Sequence, residues 1–281
     1  MKEKIIKDLG TVSGKTLFFG GVYSNLQALQ ALKDWARQNH YSSNNIFCTG
    51  DILGYCAQPV ECIELIKEWG IHSIAGNVEL QVREGEEDCG CDFKSGGRCD
   101  LFSRNWYAYT QSKMNKETVD WLHTLPHHIQ FFYGDKRVTI VHGSWYNTSD
   151  FVFKSTPWQI KQQNFDATKS DMIIGGHCGL PFADKQDSKL WINAGVIGMP
   201  ANDGTDSVWF VTLEEDENGN IEYEFHRLQY NNRQASELMR KNGLPQSYAD
   251  TLLTGIWDNC EILPEEETAQ QGKRIEFGSH R

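Results

Sequence analysis

The chain has 281 residues, of which 39% are hydrophobic and 23% charged, a composition typical of a soluble globular protein with one large or two small α/β domains. Its net charge of −11 disfavours a broad nucleic-acid surface, since polyanions are bound by basic faces. The charge leaves room for a small phosphorylated substrate or ligand, which a bound metal can balance. No apolar run approaches the roughly 18 residues of a membrane span, and the start has no signal-peptide core, so we expect a cytoplasmic protein without a membrane partner.

Strands and helices alternate in the first part of the chain. An apolar run at 15–20 ends in glycines and is followed by a helix pattern with Asn25 at its N-cap. A second strand at 45–49 precedes a helix that opens at Pro59, and a third strand lies at 71–75. This alternation predicts a sheet with parallel strands and helices packed on it.

The pattern changes after the third strand. Residues 80–100 are polar, glycine-rich and cysteine-bearing, which predicts a long loop inserted into the domain. Beyond it the spacing predicts two helices at 101–113 and 116–124 and a β-hairpin of 131–133 with 138–141. Four further strands are predicted at 171–174, 189–193, 207–214 and 221–227, followed by a helical hairpin at 230–264. We interpret 1–264 as a single domain and 265–281 as a polar, mobile tail.

Four short blocks place polar side chains directly after apolar runs. They are Gly50-Asp51, Gly76-Asn77, His142-Gly143 and Gly175-Gly176-His177. Glycine lets the backbone turn sharply, and open α/β folds bind their ligands at the carboxyl edge of the sheet. Carboxylate, amide and imidazole groups together suit a divalent metal such as Mn, Zn, Fe or Ni. The predicted ligands are Asp51, Asn77, His142 and His177.

The order of these blocks resembles the calcineurin-like metallophosphoesterase superfamily, in particular its bacterial single-domain branch, over residues 15–215. The similar motifs are Gly50-Asp51-Ile52-Leu53-Gly54-Tyr55 with Pro59, Val141-His142-Gly143-Ser144, Gly175-Gly176-His177-Cys178-Gly179-Leu180-Pro181-Phe182 and Asn193-Ala194-Gly195-Val196-Ile197-Gly198-Met199-Pro200. Several blocks in this order are far more specific than any one of them. The resemblance implies an α/β (α+β) fold, a four-layer sandwich of mixed β-sheets flanked by helices.

Members of this superfamily build a two-metal site, and only one half of it is present here. The resemblance assigns the second metal to Asp51, Asn77, His142 and His177, all of which are retained. Three ligand positions of the first metal are Gly21, Tyr23 and Gly179, none of which matches the family pattern. Because the losses all fall on one metal, we expect a site rebuilt for one metal per chain.

The third block also departs from the family pattern, in which a histidine is thought to protonate the leaving group. Here Val78 stands at that position, and valine can neither donate a proton nor polarise an oxygen. Glu79 and Tyr23 are therefore our candidate catalytic residues beside the substrate, with His128 as a further candidate proton donor. Tyr23 is interpreted as a phenol donor to phosphate, a phenolate ligand, or an ordinary half-buried aromatic residue.

Three cysteines, Cys89, Cys91 and Cys99, follow the third block, and Cys178 follows a predicted metal ligand. Their spacing is not the usual Cys-x-x-Cys pattern of zinc sites. Three interpretations are open: free thiols or a reversible disulfide, a second metal held by Cys89, Cys91 and Cys99, and a reactive thiol.

Three functions follow from these observations. The first is a metal-dependent phosphoesterase, a phosphatase or phosphodiesterase, with an altered mononuclear site. The second is a catalytically impaired relative that binds a metal or a phosphorylated ligand in a regulatory role. The third is a cysteine-based redox or metal sensor. Superfamily resemblance favours the first, although the loss of a metal and of the leaving-group acid should slow the reaction by an amount worth at least about 3 kcal/mol.

Overall fold

The computed structural model describes residues 4–277. The strands are β1 (Ile6–Val12), β2 (Thr16–Phe19), β3 (Ile46–Cys48), β4 (His72–Ser73), β5 (His128–Tyr133), β6 (Lys136–Ile140), β7 (Met172–Gly175), β8 (Pro181–Gln186), β9 (Lys189–Ala194), β10 (Val208–Glu215) and β11 (Ile221–Leu228). The α-helices are α1 (Leu26–Gln38), α2 (Pro59–Trp69), α3 (Asn77–Glu84), α4 (Arg98–Lys113), α5 (Lys116–Leu122), α6 (Trp158–Thr168), α7 (Asn232–Lys241), α8 (Gln246–Thr254) and α9 (Glu265–Thr268).

These strands form two mixed sheets. The five-stranded sheet has the order β11-β10-β2-β3-β4, in which β2, β3 and β4 run parallel. The six-stranded sheet has the order β1-β5-β6-β7-β9-β8, in which β6, β7 and β9 run parallel. The carboxyl ends of these parallel strands carry the predicted ligands, so the topology brings all four blocks to the sheet edges.

The two sheets pack face to face around an aromatic core. Phe18 and Phe47 of the five-stranded sheet stack with ring centroids 5.0 Å apart, and Phe47 stacks on Phe131 of the six-stranded sheet at 5.1 Å. A second cluster lies between the five-stranded sheet and its helices, where α1 buries Leu29 and Leu32. A third lies under α6 on the outer face of the six-stranded sheet. This layering of helix, sheet, sheet and helix confirms the predicted fold class.

Most predicted elements are present, but the segment after the third strand is more helical than expected. Residues 80–100 do not form one long loop, because α3 continues to Glu84 and α4 begins at Arg98. The N–H of Gly76 donates to the side chain of Glu79 at the start of α3, and Gly85 ends it with φ +73°. A carboxylate at the third position of a helix is a capping signal. The polar composition of 80–100 suggested a loop and obscured this signal.

Besides α3, four named strands and helices are absent from the sequence-based prediction. They are β1, β8, α6 and α9. Strand β1 is charged and largely exposed, so its sequence has no strand alternation; it forms by pairing in parallel with β5, more than 100 residues away. Long-range pairing of this kind overrides local propensity.

The C-terminal segment also differs from the expected mobile tail. Residues 265–277 include α9, and Phe277 stacks on Phe225 with ring centroids 4.0 Å apart. The guanidinium of Arg227 donates to the carbonyl of Ile275 at 2.6 Å. Residues 278–281 of the predicted tail lie outside the described residues. Between residues 4 and 277 there is no helix long and apolar enough to cross a membrane.

Candidate metal centre

The four predicted ligands converge on one point between the two sheets. Asp51 and Asn77 follow strands of the five-stranded sheet, and His142 and His177 follow β6 and β7 of the six-stranded sheet. The Nε2 atom of His142 lies 3.2 Å from Asp51 Oδ2, 3.0 Å from Asn77 Oδ1 and 3.1 Å from His177 Nδ1. All four side chains are buried.

Tight turns place these side chains at the centre of the cluster. Gly50 has φ +95°, and a Cβ there would lie 2.5 Å from the backbone nitrogen of Gly76. A Cβ on Gly76 would in turn overlap the Asp51 carboxylate. Asp51 and His177 themselves have φ of +56° and +61°, a left-handed conformation that costs energy for residues with a side chain. Such strain at convergent polar residues is typical of functional sites.

Hydrogen bonds outside the cluster fix which atoms face its centre. The Nδ1 atom of His142 lies 2.6 Å from the carbonyl of Thr49, and a carbonyl only accepts, so Nδ1 carries the proton. The amide nitrogen of Asn77 donates to the carbonyl of Cys89 at 2.8 Å, which turns its oxygen inward. A carboxylate oxygen, an amide oxygen and two imidazole nitrogens therefore meet at the centre, where only a proton or a cation can satisfy their lone pairs.

The pKa values of the cluster follow from this arrangement. Burial alone would lower the pKa of His142, but the Asp51 carboxylate outweighs it and raises that pKa. Burial would raise the pKa of Asp51, and His142 holds it below its usual value. Burial and the neighbouring His142 lower the pKa of His177 to about 3, so its imidazole stays neutral. The Asp51 carboxylate thus favours a proton on the His142 ring, and a divalent cation that binds there would replace this proton and find one carboxylate and two neutral imidazoles as ligands.

Within residues 4–277, Asp51, His142 and His177 form the one group of three or more His, Cys, Asp or Glu side chains with ligand atoms all within 4.8 Å of one another. The expected second metal at Cys89, Cys91 and Cys99 has no such group. Cys91 Sγ lies 3.2 Å from the Asn77 amide nitrogen, whereas Cys99 Sγ lies 3.3 Å from Asn259 Oδ1. The cysteines are free thiols. The side chains of Cys89 and Cys91 interact with each other, whereas Cys99 lies apart because it belongs to α4 and not to the preceding loop.

The carboxylate of Glu79, a candidate catalytic group, is directed toward the backbone of neighbouring turns. It is fully buried and accepts the backbone N–H groups of Asp51 at 2.8 Å, Leu53 at 2.9 Å and Gly76 at 2.8 Å. Burial and the nearby Asp51 raise its pKa to about 7. Both oxygens are occupied by backbone donors, so Glu79 positions the Asp51 turn and is not placed to transfer a proton to a ligand.

Tyr23 lies beside the cluster, and its ring packs against Gly21, which departs from the family pattern. A Cβ on Gly21 would lie 2.7 Å from Cζ of the Tyr23 ring, so the ring occupies the space an aspartate at 21 would need. Burial and the negative charge of Asp51 raise the pKa of Tyr23 well above its usual value. The side chain is therefore a neutral phenol and a hydrogen-bond donor, which disfavours the phenolate interpretation.

Trp257 packs against Gly179, another position that departs from the family pattern. A Cβ on Gly179 would meet Cη2 of Trp257 at 3.2 Å, and the Trp257 indole N–H donates to the carbonyl of Pro200 at 2.7 Å. Sequence reasoning missed Trp257, because nothing local marks it as a neighbour of a block 78 positions earlier.

His128, the further candidate proton donor, lies away from the cluster. It is buried in β5, with its ring stacked on Trp145 at a centroid distance of 4.5 Å. Burial and the charge of Lys4 lower its pKa to about 3, so it carries no proton to give at neutral pH.

The cluster opens on one side into a cavity. Asp51, His177 and Tyr23 are among the residues that line it. The cysteine-bearing segment, α8 and the segment after α8 contribute part of the wall, including Phe93, Tyr248 and Trp257. A ligand of the cluster in this cavity would lie among largely apolar side chains.

Known proteins share this chain's sequence pattern and fold. A model of the calcineurin-like phosphoesterase superfamily domain matches residues 24–216. An uncharacterized protein of Methanocaldococcus jannaschii is 27% identical over 249 residues, which cover 83% of this chain and 95% of that protein. The match extends beyond the family model, so most of the chain is shared with this relative.

Two solved structures have the same fold. A metallophosphoesterase from Sphaerobacter thermophilus has a TM-score of 0.67 at 24% identity, covering 87% of this chain and 100% of that one. A hypothetical protein from Pyrococcus horikoshii has a TM-score of 0.71 at 18% identity, covering 86% of this chain and 99% of that one. With the family match over more than half of its length, this chain belongs to the calcineurin-like phosphoesterase superfamily.

Proposed function

We propose that this protein is a metal-dependent phosphoesterase that works with one divalent cation held by Asp51, Asn77, His142 and His177. The observation that carries the proposal is the set of three ligand atoms within 3.2 Å of His142 Nε2, each presenting a lone pair. Two nitrogen and two oxygen donors suit Mn, Zn, Fe or Ni. When bound, such a cation polarises a phosphoryl oxygen and lowers the pKa of bound water.

The chain's own residues supply binding and orientation. The phenol of Tyr23 remains protonated and can donate a hydrogen bond to a phosphoryl oxygen, on the side where the family's first metal would stand. Glu79 holds the Asp51 turn through three backbone N–H groups and so fixes the ligand carboxylate. The aromatic walls keep solvent from the phosphorus, which strengthens the electrostatic contacts there.

The regulatory alternative is supported by one observation, the packing of the Tyr23 and Trp257 rings against Gly21 and Gly179, where the family pattern has ligands of the first metal. A protein of this kind would bind the metal and a phosphorylated ligand but would not turn the ligand over. The sensor alternative receives no such support, since among residues 4–277 no three thiols come together.

The His142→Ala substitution tests the proposed site. We expect the purified native protein to hold about one equivalent of metal and the variant far less, because one of four ligands and the hydrogen bond to Thr49 are lost. Elemental analysis measures the metal, and metal-dependent release of p-nitrophenol from a phosphate ester measures the activity. The matched control is His123→Ala, at the exposed end of α5.

Unchanged metal content in His142→Ala would remove the site from its proposed place. One equivalent of metal in the native protein with no ester hydrolysis would favour the regulatory alternative over the enzyme.

A further inference from the structure

The cavity beside the metal cluster is small. Its volume is about 70 Å³, whereas cavities that bind small organic ligands usually have volumes of about 300–1,000 Å³. Asp51 and His177, which line it, are only 3% and 7% exposed. A ligand larger than a few water molecules therefore reaches these two side chains only when a part of the wall moves.

One part of the wall is an irregular segment, residues 256–263, which we call the strap. It joins α8 to α9 and contributes four residues to the lining, Trp257, Asp258, Asn259 and Ile262. Each of its eight residues keeps a part of its surface in contact with solvent, and none of them is buried. Displacing the strap would therefore expose less apolar surface than displacing a core element, and segments of this kind open at a low cost in free energy.

Much of the remaining wall belongs to the hydrophobic core. The ring of Tyr55 stacks on the buried ring of Trp106, with centroids 4.7 Å apart. Val196 and Met199 are buried in the cluster between the five-stranded sheet and its helices. These parts of the wall are held by packing that the strap lacks.

Side-chain contacts hold the strap to the start of α4. The Arg98 guanidinium donates to the Asp258 carboxylate at 2.6 Å, and the Glu261 carboxylate accepts the backbone N–H groups of Arg98 at 3.0 Å and Cys99 at 3.1 Å. Between residues 256 and 263 there is one backbone–backbone hydrogen bond, from Leu263 to Cys260. Exposed ion pairs contribute little to stability, so these contacts can be released without unfolding the domain.

Both ends of the strap are fixed. The carbonyl of Gly255 accepts the N–H of Gly204 at 3.1 Å at the end of α8. On the other side, the carboxylate of Glu267 in α9 accepts the N–H of Ser155 at 3.0 Å. A movement that breaks the contacts with α4 can thus be confined to the eight residues between these anchors.

We propose that the strap is a gate, which opens by releasing the contacts of Asp258 and Glu261 with α4 while α8 and α9 stay in place. Its opening admits solutes and cations to the buried cluster. The proposal goes beyond the proposed function, since it concerns access to the cluster and does not depend on whether an ester is hydrolysed there.

Cys178 is a reporter of this opening. It lines the cavity, is fully buried and lies outside the strap and α4. Alkylation of the metal-free protein with iodoacetamide, followed by peptide mass spectrometry, gives a rate for each thiol. Cys62, buried in α2 and not among the lining residues, reports unfolding of the domain. We expect Cys178 to react at least about tenfold faster than Cys62 in the native protein, because local opening is more frequent than global unfolding.

Two variants weaken the contacts of the strap. We expect Arg98→Ala, which removes the ion pair, to raise the alkylation rate of Cys178 about threefold. Glu261→Ala removes the acceptor of two N–H groups, and we expect an increase of about tenfold. The rate at Cys62 should not change in either variant. The matched control is Arg104→Ala, which removes an exposed arginine that pairs with Asp100 within the same helix, and it should leave Cys178 unchanged.

Hydrogen exchange of the native protein tests the gate without a substitution. We expect the backbone amides of 256–263 to exchange faster than those of α8. Equal protection of the two segments would overturn the proposal. It would also be overturned if Cys178 reacted at the native rate in both strap variants, or if Cys62 accelerated by the same factor as Cys178. These measurements need neither metal nor ester, so they can fail while the proposed function stands, and the metal content of His142→Ala can fail while the gate stands.

Discussion

At the scale of single residues, the candidate site depends on hydrogen bonds between side chains and backbone as well as on the side chains that face its centre. Thr49 and Cys89 contribute only their carbonyl groups, yet these fix the ring of His142 and the amide of Asn77. Glu79 contributes its carboxylate to three backbone N–H groups. Residues that orient metal ligands in this way are as necessary for affinity as the ligands themselves.

The Glu79→Gln substitution tests this role. Glutamine keeps one acceptor oxygen but turns an NH₂ group toward at least one backbone donor, so a buried N–H loses its partner. We expect the free energy of unfolding of the metal-free protein to fall by about 1–3 kcal/mol, with weaker metal binding. Urea unfolding measures the first and metal titration the second. Glu64→Gln on the exposed face of α2 is the control, and equal stability of the two variants would contradict the positioning role.

At the scale of elements, the segment after α8 closes the site from outside the parallel sheets. Trp257 packs over Gly179, and Asp258 pairs with Arg98 at the start of α4. The carboxylate of Glu261 accepts the backbone N–H groups of Arg98 and Cys99. These contacts join the cysteine-bearing region to the C-terminal segment beside the cluster.

A double-mutant cycle between Gly179 and Trp257 tests this packing. Alanine at 179 meets both the strain of φ +79° and the Trp257 ring at 3.2 Å. We expect Gly179→Ala to lower the free energy of unfolding by more than in a Trp257→Ala background, with a coupling of about 1 kcal/mol. Gly85→Ala is the matched control, because Gly85 has φ +73° and no described atom would lie within 4 Å of its Cβ. A coupling energy of zero would show that the Trp257 ring does not contribute to the cost of a side chain at position 179.

At the scale of the whole molecule, buried imidazoles make stability depend on pH. Burial and Lys4 lower the pKa of His128 from 6.5 to about 3, so between these values the unfolded chain binds more protons than the folded one. Stability supplied by neutral His128 is present above pH 6.5 and is lost as the pH falls toward 3. One group of this kind changes the free energy of unfolding by up to about 1.4 kcal/mol per pH unit.

Replacing His128 should make the free energy of unfolding depend less steeply on pH in the acidic range. We expect His128→Phe, which keeps a ring against Trp145, to lose less stability than the native protein between about pH 6 and pH 4. Chemical unfolding at a series of pH values gives the slope for each protein. His123→Gln controls for the loss of a histidine at an exposed position. Parallel slopes for native protein and His128→Phe would refute the assignment of this effect to His128.

The fold and the ligand cluster could be predicted to the extent that their signals are local. Glycine turns after apolar runs place Asp51, Asn77, His142 and His177 at strand ends, and parallel strands bring such ends to one edge. The roles of Glu79 and Tyr23 could not be read in the same way. The sequence does not distinguish a buried carboxylate that accepts backbone N–H groups from one that faces a substrate. Only the positions of the neighbouring N–H groups in the folded chain distinguish the two roles.

The sequence by itself determined the alternating strands and helices and the four polar side chains at strand ends, because hydrophobic periodicity and turn residues act over short stretches of chain. The superfamily and its layered sheets followed from the resemblance of the motifs in their order along the chain. The tertiary structure decided which groups cover that cluster. Trp257 packs over Gly179, Cys99 lies apart from Cys89 and Cys91, and Phe277 packs on Phe225. These contacts join residues far apart in the chain, and their partners are selected by shape and burial in the folded molecule.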